Sequence, residues 1–193
     1  WIMATFKEMF GEFFDCEQYM DVAVADITNF IVSHDKNSAE ITIEPYKKID
    51  YEKIEALESK LSRALNVDIR ILCNNIREGF HKGYMPMVIK LLRERVTMAN
   101  GYFGDAEIEL EGKELKINLK RGGREILVSV GCDKEIEKII RAVFGFECHV
   151  TLSQGDFNPE IAVDLMQQKA DEESRRNQAE AIVKERKLDE NDY

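Results

Sequence analysis

Positive charge is scarce in this chain. Against 37 Asp and Glu stand 27 Lys and Arg, leaving a formal net charge of -10 over 193 residues. A surface that tracks phosphates needs a clustered cationic excess to displace counterions, so the charge works against broad nucleic-acid binding and leaves a local patch open. Histidine is nearly absent: His34, His81 and His149 lie far apart and form no HExxH-type pair, which removes the usual frame for a zinc or acid-base site. The four cysteines, Cys16, Cys73, Cys132 and Cys148, show no CxxC spacing. Buried reduced thiols are expected rather than a metal knuckle or redox pair. Gly122-Gly123 fits neither a P-loop nor a GxGxxG turn. No apolar run approaches membrane-spanning length, and Trp1-Ile2-Met3-Ala4 lacks the basic region, apolar core and cleavage site of an export signal, so a cytoplasmic protein is expected. Carboxylates abound, but Asp105 with Glu107 and Asp133 with Glu135 sit at turn or cap positions with no histidine or metal-ligand neighbour. The expectation is a noncatalytic chain with no catalytic residue, metal or cofactor of its own.

What is present is a 44% hydrophobic composition, enough for packed cores in one medium domain or two small ones. Phe6, Met9, Phe10 and Phe13 recur at helical spacing between Thr5 and Phe14, with Thr5 as a cap and Glu8 three residues on. Such a stripe docks on its own domain. Alternatively it fills a partner's groove, with Phe6, Phe10, Phe13 and Phe14 as the contacts. Met20 to Ser33 is β-rich, Asp35-Lys36-Asn37-Ser38 reads as a turn, and Ala39 to Glu44 alternates around Ile41 and Ile43, which together predict a hairpin. Asp50 is placed to cap a helix running to Asn66 with Ile54, Leu57 and Leu61 on one face, and Val67 to Cys73 returns as a strand. The first unit, residues 1–75, therefore reads as ββαβ.

Asn74 to Tyr84 interrupts the pattern with Asn74-Asn75, Gly79 and Gly83 and is expected to be a boundary or hinge. A helix begins near Pro86 and turns Val88, Leu91, Leu92 and Val96 inward. Ala106 to Leu110 and Leu115 to Leu119 form a hairpin, Glu135 to Phe144 a helix capped by Asp133, and Cys148 to Leu152 a closing strand. This second unit spans residues 84–154. Residues 155–193 follow as a charged linker in which Ile161 to Lys187 is expected to form a solvated helix.

One glycine motif and one basic cluster suggest nucleic acid. Gly101-Tyr102-Phe103-Gly104 has the GxxG form by which KH domains clamp a nucleic-acid backbone. It precedes the hairpin, however, whereas the clamp belongs between the two adjacent helices, around Gly131-Cys132-Asp133-Lys134. A turn is the plainer reading of Gly101 and Gly104. Lys116, Lys120, Arg121 and Arg124 are the best cationic patch, though Glu114 and Glu125 beside them suit an ordinary solvated face.

Three stretches carry a family resemblance: Lys113-Glu114-Leu115-Lys116-Ile117-Asn118-Leu119, then Phe144-Gly145-Phe146 before a strand, then Gln167-Gln168-Lys169-Ala170-Asp171-Glu172-Glu173. They resemble the N-terminal region of PolC-type DNA polymerase III, the replicative polymerase of low-GC Gram-positive bacteria, and the opening ββαβ unit suits that family's first small domain. The resemblance implies an α+β fold in which the second unit is a degenerate type II KH-like α-β-β-α-α-β domain. On that layout Gly123 to Val130, strand-like by its β-branching, becomes a short helix. The full-length polymerase of that family is a DNA-directed DNA polymerase with a 3'-5' exonuclease, but no position here matches its metal-binding aspartates. What the resemblance implies for this chain is replisome docking, with the clamp-loader tau subunit and the polymerase's remaining domains as partners. The alternative is a KH-like single-stranded nucleic-acid module using Lys116, Lys120, Arg121 and Arg124.

Overall fold

A computed structural model describes residues 4–33, 35 and 37–155; the helix expected from Ile161 to Lys187 lies outside the described residues. The described chain is mixed α+β, with six α-helices and two three-stranded sheets.

In the first unit the elements are α1 (Phe6–Phe10), α2 (Met20–Ala23), β1 (Asp26–Ser33), β2 (Ser38–Glu44), α3 (Tyr51–Leu65) and β3 (Asp68–Cys73). The Thr5 hydroxyl accepts from the Glu8 N–H, and the Glu8 carboxylate accepts from the Thr5 N–H at 2.8 Å, so α1 starts with the capping box its sequence predicts. The β-rich reading of Met20 to Ser33 needs correction at its start. Met20 to Ala25 are all buried, and a segment covered on every side imposes no alternation, so its first part closes into α2. Asp50 holds the N-cap position of α3 without a side-chain cap bond, and α3 ends on Asn66, which is left-handed at φ 54°.

The sheet order is β1-β2-β3, with β1 antiparallel and β3 parallel to the middle strand. Its core joins Ala39, Ile41, Ile43, Ile69 and Ile71 of the sheet to Ile54, Leu57 and Leu61 of α3, with Phe6, Phe10 and Phe14 closing one side. Each such large side chain taken fully out of water contributes about 1.5–3 kcal/mol.

In the second unit the order is α4 (Met85–Arg95), β4 (Glu107–Glu111), β5 (Glu114–Leu119), α5 (Arg124–Ser129), α6 (Cys132–Phe144) and β6 (His149–Gln154). This is the α-β-β-α-α-β layout, and its sheet, β4-β5-β6, again has one antiparallel and one parallel pairing. Gly123 to Val130 resolves as helix. Gly122 and Gly123 turn the chain at φ 73° and 87°, after which only Leu127 points into the core and β-branched Val128 stays exposed. A Cβ on Gly123 would lie 2.2 Å from the Tyr102 ring, so both its φ and its neighbour require glycine. The cap of α6 is Gly131, not the expected Asp133, which falls inside the first turn.

The stretch from Asn74 to Tyr84 joins the units through specific contacts. Arg77 reaches back to Asp26 at 2.8 Å and Glu44 at 2.7 Å. Phe80 is buried against Phe144, ring centroids 5.1 Å apart. From the first unit, Tyr46 packs 5.2 Å from Tyr84 and 5.3 Å from Phe144, and Met20 and Val24 enter the same core. Arg95 bridges Glu17 of the first unit and Glu135 of the second.

Candidate protein-docking surface

The cationic cluster is neutralised where it stands. β5 alternates, sending Leu115, Ile117 and Leu119 inward and Lys116 outward, next to the glutamates of β4. Lys116 pairs with Glu111 at 2.7 Å, Lys120 with Glu107 at 2.6 Å and Arg121 with Asp105 at 2.5 Å. Arg124 donates its Nε–H to the Leu152 carbonyl at 2.8 Å. The Glu111 hydrogen bond raises the Lys116 pKa, while Lys120 and Lys116 hold Glu107 and Glu111 below the usual carboxylate value. A phosphate arriving here competes with carboxylates already in place.

The two glycine loops follow the same direction. In Gly101-Tyr102-Phe103-Gly104, Phe103 is core and Tyr102 lies against Gly123, so the loop is a packed turn. Between α5 and α6, where a backbone clamp belongs, the connection is Val130-Gly131, flanked by exposed Ile126, Val128 and Val130. The acid Asp133 lies in the first turn of α6, and the one cation of that turn, Lys134, is paired with Glu137 at 3.1 Å.

The phenylalanine stripe also needs correction. Phe6, Phe10 and Phe14 are buried, the Phe6 ring lying 5.1 Å from Phe10 and 5.6 Å from Phe14. As partner contacts they would first have to leave their own core, which they share with Ile41, Ile43 and Leu57, while the Phe6 N–H bonds to the Ala25 carbonyl at 2.8 Å. Of that stretch, Met9 is exposed and Phe13 half-buried.

Sequence reasoning missed a neighbouring strip. Phe30, Ile31 and Val32 of β1 are 43%, 50% and 48% exposed. Phe30 and Val32 pair with Ile41 and Ala39 and so share the sheet's inner face, yet both stay exposed; Ile31 pairs with Glu40 on the outer face. The Phe10 ring approaches Phe30 edge-on at 6.1 Å, which sets α1 beside the strip. The available signal was three consecutive large apolar residues in a strand with no charge from Ile27 to Ser33.

Of the four thiols expected to be buried, only Cys132 is; Cys16 and Cys148 are half-buried and Cys73 is exposed. Burial pushes Cys132 and Cys148 up to about 11, leaving little thiolate at neutral pH. Among the described residues no group of three or more His, Cys, Asp or Glu is arranged to hold a metal, and no helix is long and apolar enough to cross a membrane. No protein-family model matches the chain, and no curated protein matches it.

Proposed function

We propose that this chain is a noncatalytic docking region of a PolC-type replicative DNA polymerase, binding the C-terminal part of the clamp-loader tau subunit in the cytoplasm. The family comes from the resemblance in Lys113 to Leu119, Phe144 to Phe146 and Gln167 to Glu173. A protein partner is favoured by one contrast: three candidate phosphate-binding cations face carboxylates and Arg124 faces a carbonyl, while an uncharged apolar strip on β1 stays at the surface. Residues 1–75 and 84–154 act in this reading as one tether, held by the aromatic junction.

Calorimetric titration with a C-terminal tau fragment at about 50 and 200 mM salt tests this, because apolar docking depends weakly on salt whereas phosphate binding falls steeply. Saturable one-to-one binding at both salts is expected. Failure to bind tau, together with salt-steep binding of single-stranded DNA that Lys120→Glu and Arg121→Glu abolish, would transfer the function to the KH-like nucleic-acid reading.

A further inference from the structure

Every sheet has two edges, and unpaired backbone groups along an edge invite another strand. Three of the four edges here are guarded. On β3, Glu58 accepts the Ile71 N–H at 2.6 Å and Ser62 accepts the Ile69 N–H at 2.9 Å. On β6, Glu137 accepts the Val150 N–H at 2.9 Å and Arg124 covers the Leu152 carbonyl. On β4, exposed Glu107, Glu109 and Glu111 line the edge with charged side chains, two of them in ion pairs with Lys120 and Lys116. The fourth edge is guarded only at its start, where Ala4 to Phe6 bond to Ala25 and Ile27. From Asn29 to Ser33 the outer edge of β1 has no strand beside it among the described residues, no charged side chain, and the exposed apolar strip.

We infer that the outer edge of β1, Asn29 to Ser33, is a strand-addition site. Its occupant is an extended segment of a partner protein, with apolar residues at alternate positions beside Phe30 and Val32 and with Lys or Arg at its flanks. Backbone bonding supplies the affinity in this mode, and alternate side chains supply the selectivity. The basic flanks follow from charge. The helical segment abutting β1 carries exposed Glu8 and Glu12, and the one described cation of α1, Lys7, is taken by Glu94. A second copy is a poor occupant, because it brings the same acids and a net charge of -10 to a contact five residues long.

The inference rests on the protein-docking reading for the partner's existence but is tested apart from it. The probe is a synthetic peptide, Lys-Lys-Val-Thr-Val-Thr-Val-Lys-Lys, titrated into the full chain with amide exchange followed at each residue. Slowed exchange within Asn29 to Ser33 is expected. Affinity should fall about tenfold or more when Glu replaces the flanking lysines, or in the chain carrying Ile31→Lys and Val32→Lys, while Leu72→Lys on the guarded β3 side leaves it unchanged. Circular dichroism of each variant checks folding. Equal affinity for acidic and basic peptides, or protection elsewhere than β1, would overturn the site. If the tau fragment binds the Ile31→Lys, Val32→Lys chain as it binds the parent, strand addition fails and tau docking stands. If tau does not bind but the peptide behaves as stated, tau fails and the edge stands.

Discussion

In both units a helix ends on a left-handed residue, Asn66 in the first and Gly145 in the second, and returns as a strand parallel to the middle strand of its sheet. A glutamate in each helix accepts an edge N–H of that strand, Glu58 from Ile71 and Glu137 from Val150, with a sequence separation of 13 in both. The shared frame follows from a shared need. A returning strand at a sheet edge has N–H groups to satisfy, and a helix packed beside it supplies the nearest acceptor. The units differ at the opposite edge, where β4 carries three exposed glutamates and β1 carries Phe30, Ile31 and Val32. Backbone requirements constrain the frame and leave the first strand free to vary, so the difference between the halves concentrates where contact with another molecule is possible.

The largest expected effect tests whether the halves are separable at all. Phe144 touches Tyr46, Phe80 and Tyr84, so Phe144→Ala should cost about 3–5 kcal/mol and split a single urea transition into two, followed by far-UV and near-UV signals. One undivided transition would show that the remaining contacts suffice for cooperativity.

Next come the paired glutamates. Glu58→Ala and Glu137→Ala each strip a strand N–H of its acceptor and should cost about 1–3 kcal/mol in urea unfolding. A large loss in one and none in the other would break the equivalence of the units.

The second unit should also carry a pH signature. Burial pushes the Glu137 carboxyl up, but the Val150 N–H, Lys134 and His149 outweigh it and leave the pKa below its ordinary 4.5. A depressed folded pKa means that the unfolded chain takes up the proton first. Stability from Glu137 is therefore complete above about pH 4.5 and lost as pH falls through the lower folded value. Glu137→Gln keeps an acceptor and should flatten that slope, measured as unfolding midpoint against pH.

The smallest effect is a reciprocal exchange of helix ends. Asn66→Gly relieves a left-handed side chain and Gly145→Asn introduces one, with opposite shifts of about 1 kcal/mol or less in thermal unfolding.

Much of the frame was legible because its cues are local. Ile54, Leu57 and Leu61 mark α3, and the Thr5 and Glu8 pair marks α1. Gly123 to Val130 carried opposed cues, since β-branching favours a strand while only the α-β-β-α-α-β layout of the family resemblance favours a helix. Position of burial was less legible than periodicity. The spacing of Phe6 and Phe10 announces an apolar helix face but not what covers it, and the exposure of Phe30 depends on which elements pack beside β1. Pairing of the cations was hidden for the same reason: Lys120 meets Glu107 only once the hairpin closes.

The aromatic junction has an optical consequence. Tyr46, Tyr84, Phe80 and Phe144 lie within 5.0–5.3 Å of one another along successive ring contacts, and the sole tryptophan, Trp1, lies outside the described residues. Rings held so closely couple their transitions, so the tyrosine band of the near-ultraviolet dichroism should report the seating of one unit on the other more than the packing of either core. The chain thus carries an intrinsic gauge of its own assembly, readable without a label.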